Sequence, residues 1–579
     1  MVGMRVSLRL LARGPGQSHS PCGARRERIF LAEAMMVTIW RMLGLALSLA
    51  AVPVLAQDEG RVADYKQSEA VLARYKPVPI PLATPALTRG APGLTTQAEL
   101  EAFVTDLAAK APGKVVLGSL GTSQQGRDLP YLIFSKEGLK DPAALKALGR
   151  PVVWFVGQQH GNEPAGAEAM LALAHDLALG DLGPVLDKLV VVIVPRSNPD
   201  GAAADKRVGA SGFDLNRDHL LLTLPETRAL HAKLAELPPD VIVDVHEFSV
   251  ANRWLEKFGG LNAADAMILY ATNPAVPAPT TKIASEMVKP AMERAMAEKG
   301  LSSFWYFTTS YRKDDKLVSM GGNAPGIARN LFGLSGAVSF LIETRGVGLQ
   351  LENLERRIAT HYVIARSVLD TVAANDKAVL EAVKAARAEL ARNQGELIVA
   401  HRIATETVAI PLVDPASGAD MPTPVEFRDS RKVTVTSRRA RPEGYLVLPA
   451  GQAALEALKL KGIVSCALGA PTTLEVEAFM VEQKGPVKKT DRENINPDQA
   501  VKVELRPRRM DVPADAVFVP MTQAGANVIA ASLEPDSPGS HVGVGVVEIA
   551  PASGEAPIYR VPRGTKLGLA AGGDAACGR

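Results

Sequence analysis

Short apolar runs alternate with amphipathic segments between residues 95 and 375 of the chain. The clearest runs are rich in Val and Ile and lie at residues 152–156, 189–194, 241–245 and 337–342. Most of them are separated by helical patterns, of which AGAEAMLALAHDLALG is one. Strands that are buried on both faces and alternate with helices are typical of α/β domains. The pattern therefore predicts an α/β fold with a mixed, largely parallel sheet flanked by helices.

After residue 396 the pattern changes to short alternating runs with frequent turns, among them KVTVTS, LEVEAFMVE and VKVELRP. Strands with one solvent-facing side show this alternation. We therefore expect residues 397–579 to form an all-β accessory domain, joined to the α/β domain at 95–375 by a charged helical linker at 376–396. Residues 57–94 are rich in proline, which predicts an extended arm or linker.

Residues 37–56 have the pattern of a secretory signal. Arg41 precedes a short apolar run, and small residues occupy the −3 and −1 positions if cleavage follows Ala56. The run is short for a bilayer span of about 20 residues, so we expect no stable membrane span after cleavage. The prediction is a periplasmic or secreted protein. The Arg-rich residues 1–34 are unlike a signal, and a true start at Met35 or Met36 would explain them.

Composition excludes several classes of protein. Of the 579 residues, 47% are hydrophobic and 22% are charged, which argues against overall disorder. Aromatic residues make up only 5% and no basic stripe is interleaved with them, so we expect no nucleic-acid partner. With only three cysteines (Cys22, Cys466 and Cys577), neither a disulfide scaffold nor a Cys-ligated zinc ribbon is available. In an oxidising compartment Cys466 and Cys577 either pair or remain free thiols.

The strand predicted at 152–156 leads into the sequence HGNE, which contains His160 and Glu163. Pro164 suits the first turn of a helix, so both residues lie in a turn between a strand end and a helix N-terminus. Ligands bind at that edge of open α/β sheets. An imidazole and a carboxylate at this spacing offer two zinc ligands, although H-x-x-E alone recurs often by chance.

The sequence DVIVDVHEF supplies a third ligand at the end of another strand. Together, His160, Glu163 and His246 leave one position open for water, as catalytic zinc sites do. Asp244 lies two residues before His246 on the same strand face, where it can accept a hydrogen bond from a ligand imidazole. For His246 alone a structural role in the core would be the simpler explanation, but the neighbouring H-x-x-E favours a metal site.

A third strand, GAVSFLIETRG, ends at Glu343. A buried carboxylate is costly unless it is paired or has a chemical role. Glu343 is therefore a candidate general base for the water that a zinc ion activates. The alternative is a structural ion pair with Arg345, which we favour less because the i and i+2 positions of a strand pair no better than others.

Several polar side chains that suit an anionic substrate lie elsewhere in the chain. In DLNR, the guanidinium of Arg217 and the amide of Asn216 suit a terminal carboxylate. Arg207 and Arg127 are candidates for polarising the scissile carbonyl or holding an anionic intermediate. For Arg127, a surface ion pair is nearly as good an explanation.

In this order, HGNE, NPDG, DLNR, DVHE and IETR resemble the motifs of the zinc metallocarboxypeptidases, the carboxypeptidase A-like enzymes. The resemblance covers roughly residues 95–372 and implies an eight-stranded mixed sheet, one zinc ion, and a peptide substrate with a free C-terminus. It implies His160, Glu163 and His246 as zinc ligands and Glu343 as the catalytic glutamate.

The same resemblance implies substrate-binding roles for the polar residues. Asn216 and Arg217 would bind the C-terminal carboxylate, and Arg207 would stabilise the oxyanion. Arg127 lies in a Gly-Arg pair like one near the family's substrate cleft.

One stretch departs from the family pattern. The carboxypeptidases carry a mobile Tyr a little over twenty residues before the glutamate, whereas residues 319–330 (SMGGNAPGIARN) contain none. Tyr306 and Tyr311 lie further upstream. A zinc amidohydrolase acting on a small acyl-amino acid or a cell-wall peptide is therefore the second hypothesis. An inactive binding protein with the same fold is a third, disfavoured because the zinc ligands and Glu343 are all present.

Overall fold

The computed structural model describes residues 64–310, 312–488, 498–550 and 553–567. The predicted signal at 37–56 lies outside these residues, as do Tyr311 and Cys577. None of the helices in the described part is both long enough and apolar enough to span a bilayer.

The described strands are, in chain order, β1 (Val115–Thr122), β2 (Asp128–Phe134), β3 (Val152–Gly157), β4 (Val190–Val194), β5 (Val241–Ser249), β6 (Leu261–Asn262), β7 (Ala266–Tyr270), β8 (Ser303–Trp305), β9 (Thr308–Thr309), β10 (Val318–Ser319), β11 (Val338–Val347), β12 (Glu396–Ile410), β13 (Leu412–Val413), β14 (Thr423–Ala440), β15 (Gly444–Val447), β16 (Cys466–Ala467), β17 (Thr472–Lys488), β18 (Asp498–Val512), β19 (Val517–Pro520) and β20 (Glu555–Val561).

The described α-helices are α1 (Glu69–Arg74), α2 (Pro85–Thr88), α3 (Gln97–Lys110), α4 (Pro142–Ala147), α5 (Pro164–Ala178), α6 (Pro199–Ala204), α7 (Pro225–Glu236), α8 (Arg253–Phe258), α9 (Ala278–Lys282), α10 (Lys289–Glu298), α11 (Ala328–Leu334), α12 (Leu354–Ala374), α13 (Asp376–Ala391), α14 (Gln452–Leu460) and α15 (Ala526–Leu533). Short 3-10 segments lie at Gly183–Asp187, Leu215–Arg217 and Pro449–Gly451, and a π-helical segment, Ile283–Val288, joins α9 to α10.

Eight strands form a mixed sheet in the order β1-β2-β4-β3-β5-β11-β7-β8. The central strands β4, β3, β5 and β11 run parallel, while β1, β2 and β7 make the antiparallel pairings. These four central strands are buried at every residue. The prediction of a mixed, largely parallel eight-stranded sheet is confirmed.

Helices cover both faces of this sheet because successive strand residues point to opposite sides. On one face, residues such as Val153 and Val243 pack against α5 and α12. On the other face, Trp154 and Ile242 pack against α7 and α11. This two-sided burial explains the continuous apolar runs in the sequence.

Further sheets follow towards the C-terminus, as the alternating pattern predicted. One has the order β16-β19-β15-β20-β17-β18, and α14 and α15 pack against its core. Cys466, in β16, is disulfide-bonded. A second sheet, in the order β12-β14-β10-β9, joins two long C-terminal strands to two short strands from the segment before α11.

Candidate active site

The carboxyl ends of β3, β5 and β11 lie side by side and carry the predicted metal and base residues. His160 and Glu163 follow β3 in the turn that leads to α5, and β5 carries His246. Glu343 in β11 is the register partner of His246, and the two strands run parallel. The side chains of His246 and Glu343 therefore point to the same face of the sheet.

Close backbone packing holds the turn that carries His160. A Cβ atom on Gly161 would lie only 1.9 Å from the carbonyl carbon of Gly201, in NPDG. The Gly161 N–H donates to the Arg207 carbonyl at 3.3 Å, and Asn198 Nδ2 donates to the Gln159 carbonyl at 3.0 Å. The glycine of HGNE is thus required because this turn packs against the NPDG turn.

Three potential ligand groups converge in this turn. His160 Nδ1 and His246 Nδ1 lie 2.8 Å from the two carboxylate oxygens of Glu163, Oε1 and Oε2 respectively, and 3.0 Å from each other. All three side chains are buried, and their ligand atoms lie within 4.8 Å of one another. Among the described residues, no other group of His, Cys, Asp and Glu side chains has this geometry. Two imidazoles and one carboxylate are a donor set that suits zinc.

A carboxylate supports the far nitrogen of each imidazole. His160 Nε2 lies 3.1 Å from Asp214 Oδ1, and His246 Nε2 lies 2.9 Å from Asp244 Oδ1. Each carboxylate accepts the Nε2–H, which leaves the Nδ1 lone pair directed at the cluster. Asp244 lies where the strand alternation predicted. Asp214 was not singled out, although it opens the DLNR motif.

The pKa of Glu343 is raised to about 7, first by burial and then by the nearby charge of Glu163. The positive charges of His246 and Arg207 oppose this shift. For Glu163 the balance is the reverse. Burial raises its pKa, but the two histidines outweigh that effect and lower the pKa below its ordinary value. The site therefore contains one acid held as a carboxylate and another that titrates near neutral pH.

The cluster opens into a cavity of about 230 Å³. Its described lining includes the predicted residues His160, Glu163, Arg207, Asn216, Arg217 and Glu343, and in addition Glu247, Arg253, Tyr306, Gly322 and Arg329. Burial and the charge of Glu343 raise the pKa of the Tyr306 hydroxyl. Sequence reasoning could not place Tyr306 in the cleft and did not consider Arg253 or Arg329, because no motif surrounds them.

Two of the predicted substrate-binding residues also hold the histidines. Arg207 Nη1 lies 3.0 Å from His160 Nδ1, while its Nε and Nη2 donate to Asp214 at 3.2 and 2.9 Å. Asn216 Nδ2 donates to Asp244 at 3.1 Å and lies 3.0 Å from His246 Nε2. Through Asp214 and Asp244, both residues thus help to fix the orientation of a candidate ligand imidazole, and both also line the cavity.

Arg127 and Arg345 are directed elsewhere. Arg127 is absent from the described cavity lining and forms an ion pair with Asp200 at 2.6 Å. Arg345 donates to the Asn262 carbonyl and to Gln67, and its guanidinium lies 4.0 Å from the centre of the Tyr75 ring. It therefore does not pair with Glu343, which removes the structural explanation for that carboxylate.

Comparison with known proteins bears directly on this site. Residues 100–252, which include HGNE and DVHE, match the family model of the zinc carboxypeptidases (peptidase M14). "Carboxypeptidase 2" of Trichophyton equinum is 26% identical over 90% of this chain and 98% of its own length. "Carboxypeptidase E" of Caenorhabditis elegans is 33% identical over 21% of this chain and 29% of its own length.

Among solved structures, a metallo-carboxypeptidase from Burkholderia cenocepacia superposes with a TM-score of 0.36 and 19% identity, over 48% of this chain and 68% of that one. The family match and the curated relatives agree with the donor set at the ends of β3 and β5. The family match over residues 100–252 and the curated relatives therefore support a zinc metallocarboxypeptidase.

Proposed function

We propose that the protein removes C-terminal residues from peptides, with one zinc ion bound by His160, Glu163 and His246 and with Glu343 as the general base. The observation that carries this proposal is the convergence of three buried ligand groups beside Glu343 on the adjacent strand. An inactive binding protein would not need a buried acid at that position, and a structural metal site would not need one either.

His160 and His246 would bind the ion through their Nδ1 atoms, and Glu163 would bind it through its carboxylate. Their fit rests on the donor set and on Asp214 and Asp244, which keep both Nδ1 atoms available. A bound zinc ion would polarise the scissile carbonyl and make an attacking water more acidic.

Glu343 would move the proton during hydrolysis. Its pKa of about 7 leaves a substantial carboxylate fraction at neutral pH, so it can accept a proton from the attacking water. The resulting carboxylic acid can then deliver that proton to the nitrogen of the leaving residue. A general base is most effective when its pKa lies near the working pH, and burial of Glu343 produces that match.

The arginines of the cavity would bind the anionic parts of the substrate. Arg217 would bind the terminal carboxylate, because its guanidinium lines the cavity and suits a planar anion. Arg207 would stabilise negative charge that develops on the scissile carbonyl oxygen, since it is already fixed next to His160. Asn216 would mainly hold Asp244 in place and, through it, His246.

We also propose that the protein is exported to the periplasm or secreted, on the strength of the signal pattern at residues 37–56. Mass spectrometry of the purified protein should find a mature N-terminus directly after Ala56. An intact residue 37–56 segment in the extracellular fraction would contradict cleavage at this site.

Mass-spectrometric analysis of a mixed peptide library tests the enzymatic proposal. We expect stepwise loss of C-terminal residues, suppressed by a zinc chelator and restored by added zinc. The same peptides with amidated C-termini are the matched control and should be poor substrates. Equal cleavage of free and amidated peptides would instead favour an amidohydrolase that does not recognise the terminal carboxylate, and cleavage that resists the chelator would refute the zinc mechanism.

A further inference from the structure

Arg329, at the start of α11, is a buried cation in the wall of the active-site cavity. The residue is only 2% exposed, yet its side chain lines the same cavity as Glu343. Its Nη2 donates to the Gly322 carbonyl at 2.8 Å, while its Nε has no hydrogen-bond partner. No ion pair joins Arg329 to a carboxylate in the described part of the chain. A buried guanidinium without a counter-ion is destabilising, so this position calls for a ligand.

The glutamates that line the cavity have other partners or positions. Glu163 lies between the two histidines. Glu247 accepts two hydrogen bonds from Arg357, at 2.7 and 3.0 Å. Glu343 acts on Arg329 through its charge, but the two side chains form no hydrogen bond with each other in the described part of the chain. The protein itself therefore supplies Arg329 with no dedicated anion among the residues described.

A second cation lies close to Arg329. Burial lowers the pKa of Arg329 to about 10, and the positive charge of Arg217 adds to this shift, while Tyr306 and the charges of Glu343 and Asp244 oppose it. Arg329 is nevertheless protonated at neutral pH. The charge of Arg217 therefore acts unfavourably on Arg329, and an anionic group bound at Arg329 would offset that effect.

The position of the Arg329 side chain is fixed by its surroundings. A Cβ atom on Gly321 would lie 3.1 Å from Arg329 Nη2 and 2.9 Å from the Tyr306 ring, so the backbone at Gly321 passes directly beside the guanidinium. Asn330 Nδ2 donates to the same Gly322 carbonyl at 3.1 Å, which fixes that carbonyl in turn. A guanidinium held in this way is preorganised to bind a planar carboxylate.

We infer that Arg329 binds the side-chain carboxylate of the substrate's C-terminal residue, and that the enzyme therefore prefers peptides ending in Glu or Asp. The inference rests on the proposed function, because it takes Arg217 as the ligand of the terminal carboxylate. A C-terminal Glu or Asp carries two carboxylates, which match the two guanidinium groups. A neutral side chain would leave Arg329 buried without a counter-ion, and a lysine would add a further positive charge beside it.

Peptides that differ only in their last residue provide the test, with Glu, Gln, Leu and Lys as the four endings. For the zinc-loaded enzyme we expect kcat/KM for the Glu ending to exceed that for the Gln ending roughly 10- to 100-fold, the usual effect of a buried charge-assisted hydrogen bond. Arg329→Gln should abolish this ratio, because it should lower kcat/KM for the Glu ending far more than for the Gln ending. Arg329→Lys should keep part of the ratio.

Binding measured without turnover separates the two proposals. N-acetyl-L-glutamate should bind the zinc-loaded enzyme more tightly than N-acetyl-L-glutamine does, and Arg329→Gln should equalise the two affinities. Equal wild-type affinities, or faster cleavage of the Gln, Leu or Lys endings, would overturn the inference and leave the carboxypeptidase activity intact. Absence of any cleavage, with the difference in binding retained, would contradict the proposed function alone. If Arg329→Gln does not fold, the wild-type comparisons and Arg329→Lys still decide.

Discussion

Replacing Asp244 with Asn should weaken zinc binding, because Asp244 holds the His246 imidazole from behind. Its Oδ1 lies 2.9 Å from His246 Nε2 and also accepts from Gln159 Nε2, while its Oδ2 accepts from Asn216 Nδ2 at 3.1 Å. All three partners donate, so the side chain must accept at every contact. Asn offers one oxygen and one NH₂ group, and that NH₂ group would have to face another donor.

The neighbouring groups cannot easily turn to accommodate the Asn. Gln159 Oε1 lies 2.7 Å from His219 Nε2, and His219 Nδ1 lies 3.0 Å from His231 Nε2. If the Gln159 amide flipped, the proton on each imidazole, that of His219 and that of His231, would have to move to the other nitrogen of the same ring. The charge of Asp244 therefore sets the hydrogen-bond direction along this whole row of buried side chains.

The size of the effect follows from these contacts. Loss of a carboxylate behind a ligand histidine typically costs 10- to 100-fold in metal affinity, which corresponds to about 1.4 to 2.7 kcal/mol. The unpaired buried donor should lower the free energy of unfolding by a further 1–3 kcal/mol or so. We therefore expect Asp244→Asn to fold less stably and to raise the zinc Kd roughly 10- to 100-fold.

Competition with a chromogenic zinc chelator at constant pH measures this Kd, and urea unfolding measures stability. Asp218→Asn is the matched control, because Asp218 is also buried and accepts several hydrogen bonds, from Thr223, Leu224 and Thr227, but does not contact the ligand cluster. The control should lose stability and keep its zinc Kd. A folded Asp244→Asn protein with the wild-type zinc Kd would refute the reasoning.

Three further outcomes are expected. Glu343→Gln should keep zinc but lower kcat at least about 100-fold, the scale of general-base loss; near-normal turnover with full zinc content would rule out the base role. Gly161→Ala should lower both stability and zinc content, because its Cβ would overlap the Gly201 backbone, whereas Gly113→Ala, where nothing lies within 4 Å, should change neither. Stability of the zinc-loaded protein should fall as pH drops below 6.5, because burial depresses the pKa values of four imidazoles. At these side chains the unfolded chain then binds more protons than the folded protein, and each contributes up to about 1.4 kcal/mol per pH unit to the loss of unfolding free energy. Urea titrations between pH 7 and 5 measure this slope, and a flat profile would contradict neutral burial of His219, His231, His361 and His541.

The convergence of the candidate metal ligands and Glu343 could be predicted from the sequence because parallel strands end at the same edge of a sheet. His160, His246 and Glu343 each follow or end a long apolar run, so their convergence follows from strand order alone. The two-residue repeat of a strand was enough to place Asp244 behind His246. These conclusions depend on regular structure, where local pattern determines the direction of a side chain.

Residues on irregular segments could not be placed in this way. Arg329 follows a loop rich in Gly and Pro, and its direction is set by the Gly322 carbonyl rather than by a periodic pattern. Arg127 lies in a tight turn, and its pairing with Asp200 depends on how two distant loops meet. The pairing of β10 with β14 likewise joins segments far apart in the chain, and no local signal specifies such a contact.

The β10–β14 pairing also determines how this enzyme can be shortened. A protein that ended near residue 375 would lose β12 and β14, and Val318–Ser319 would become an open sheet edge directly before the segment that leads to Arg329. It would also lose Lys461, whose ammonium group donates a hydrogen bond to the Leu220 carbonyl. We therefore expect truncation to alter which peptides are accepted before it abolishes metal loading, because the strands that would be removed hold the segment leading to Arg329.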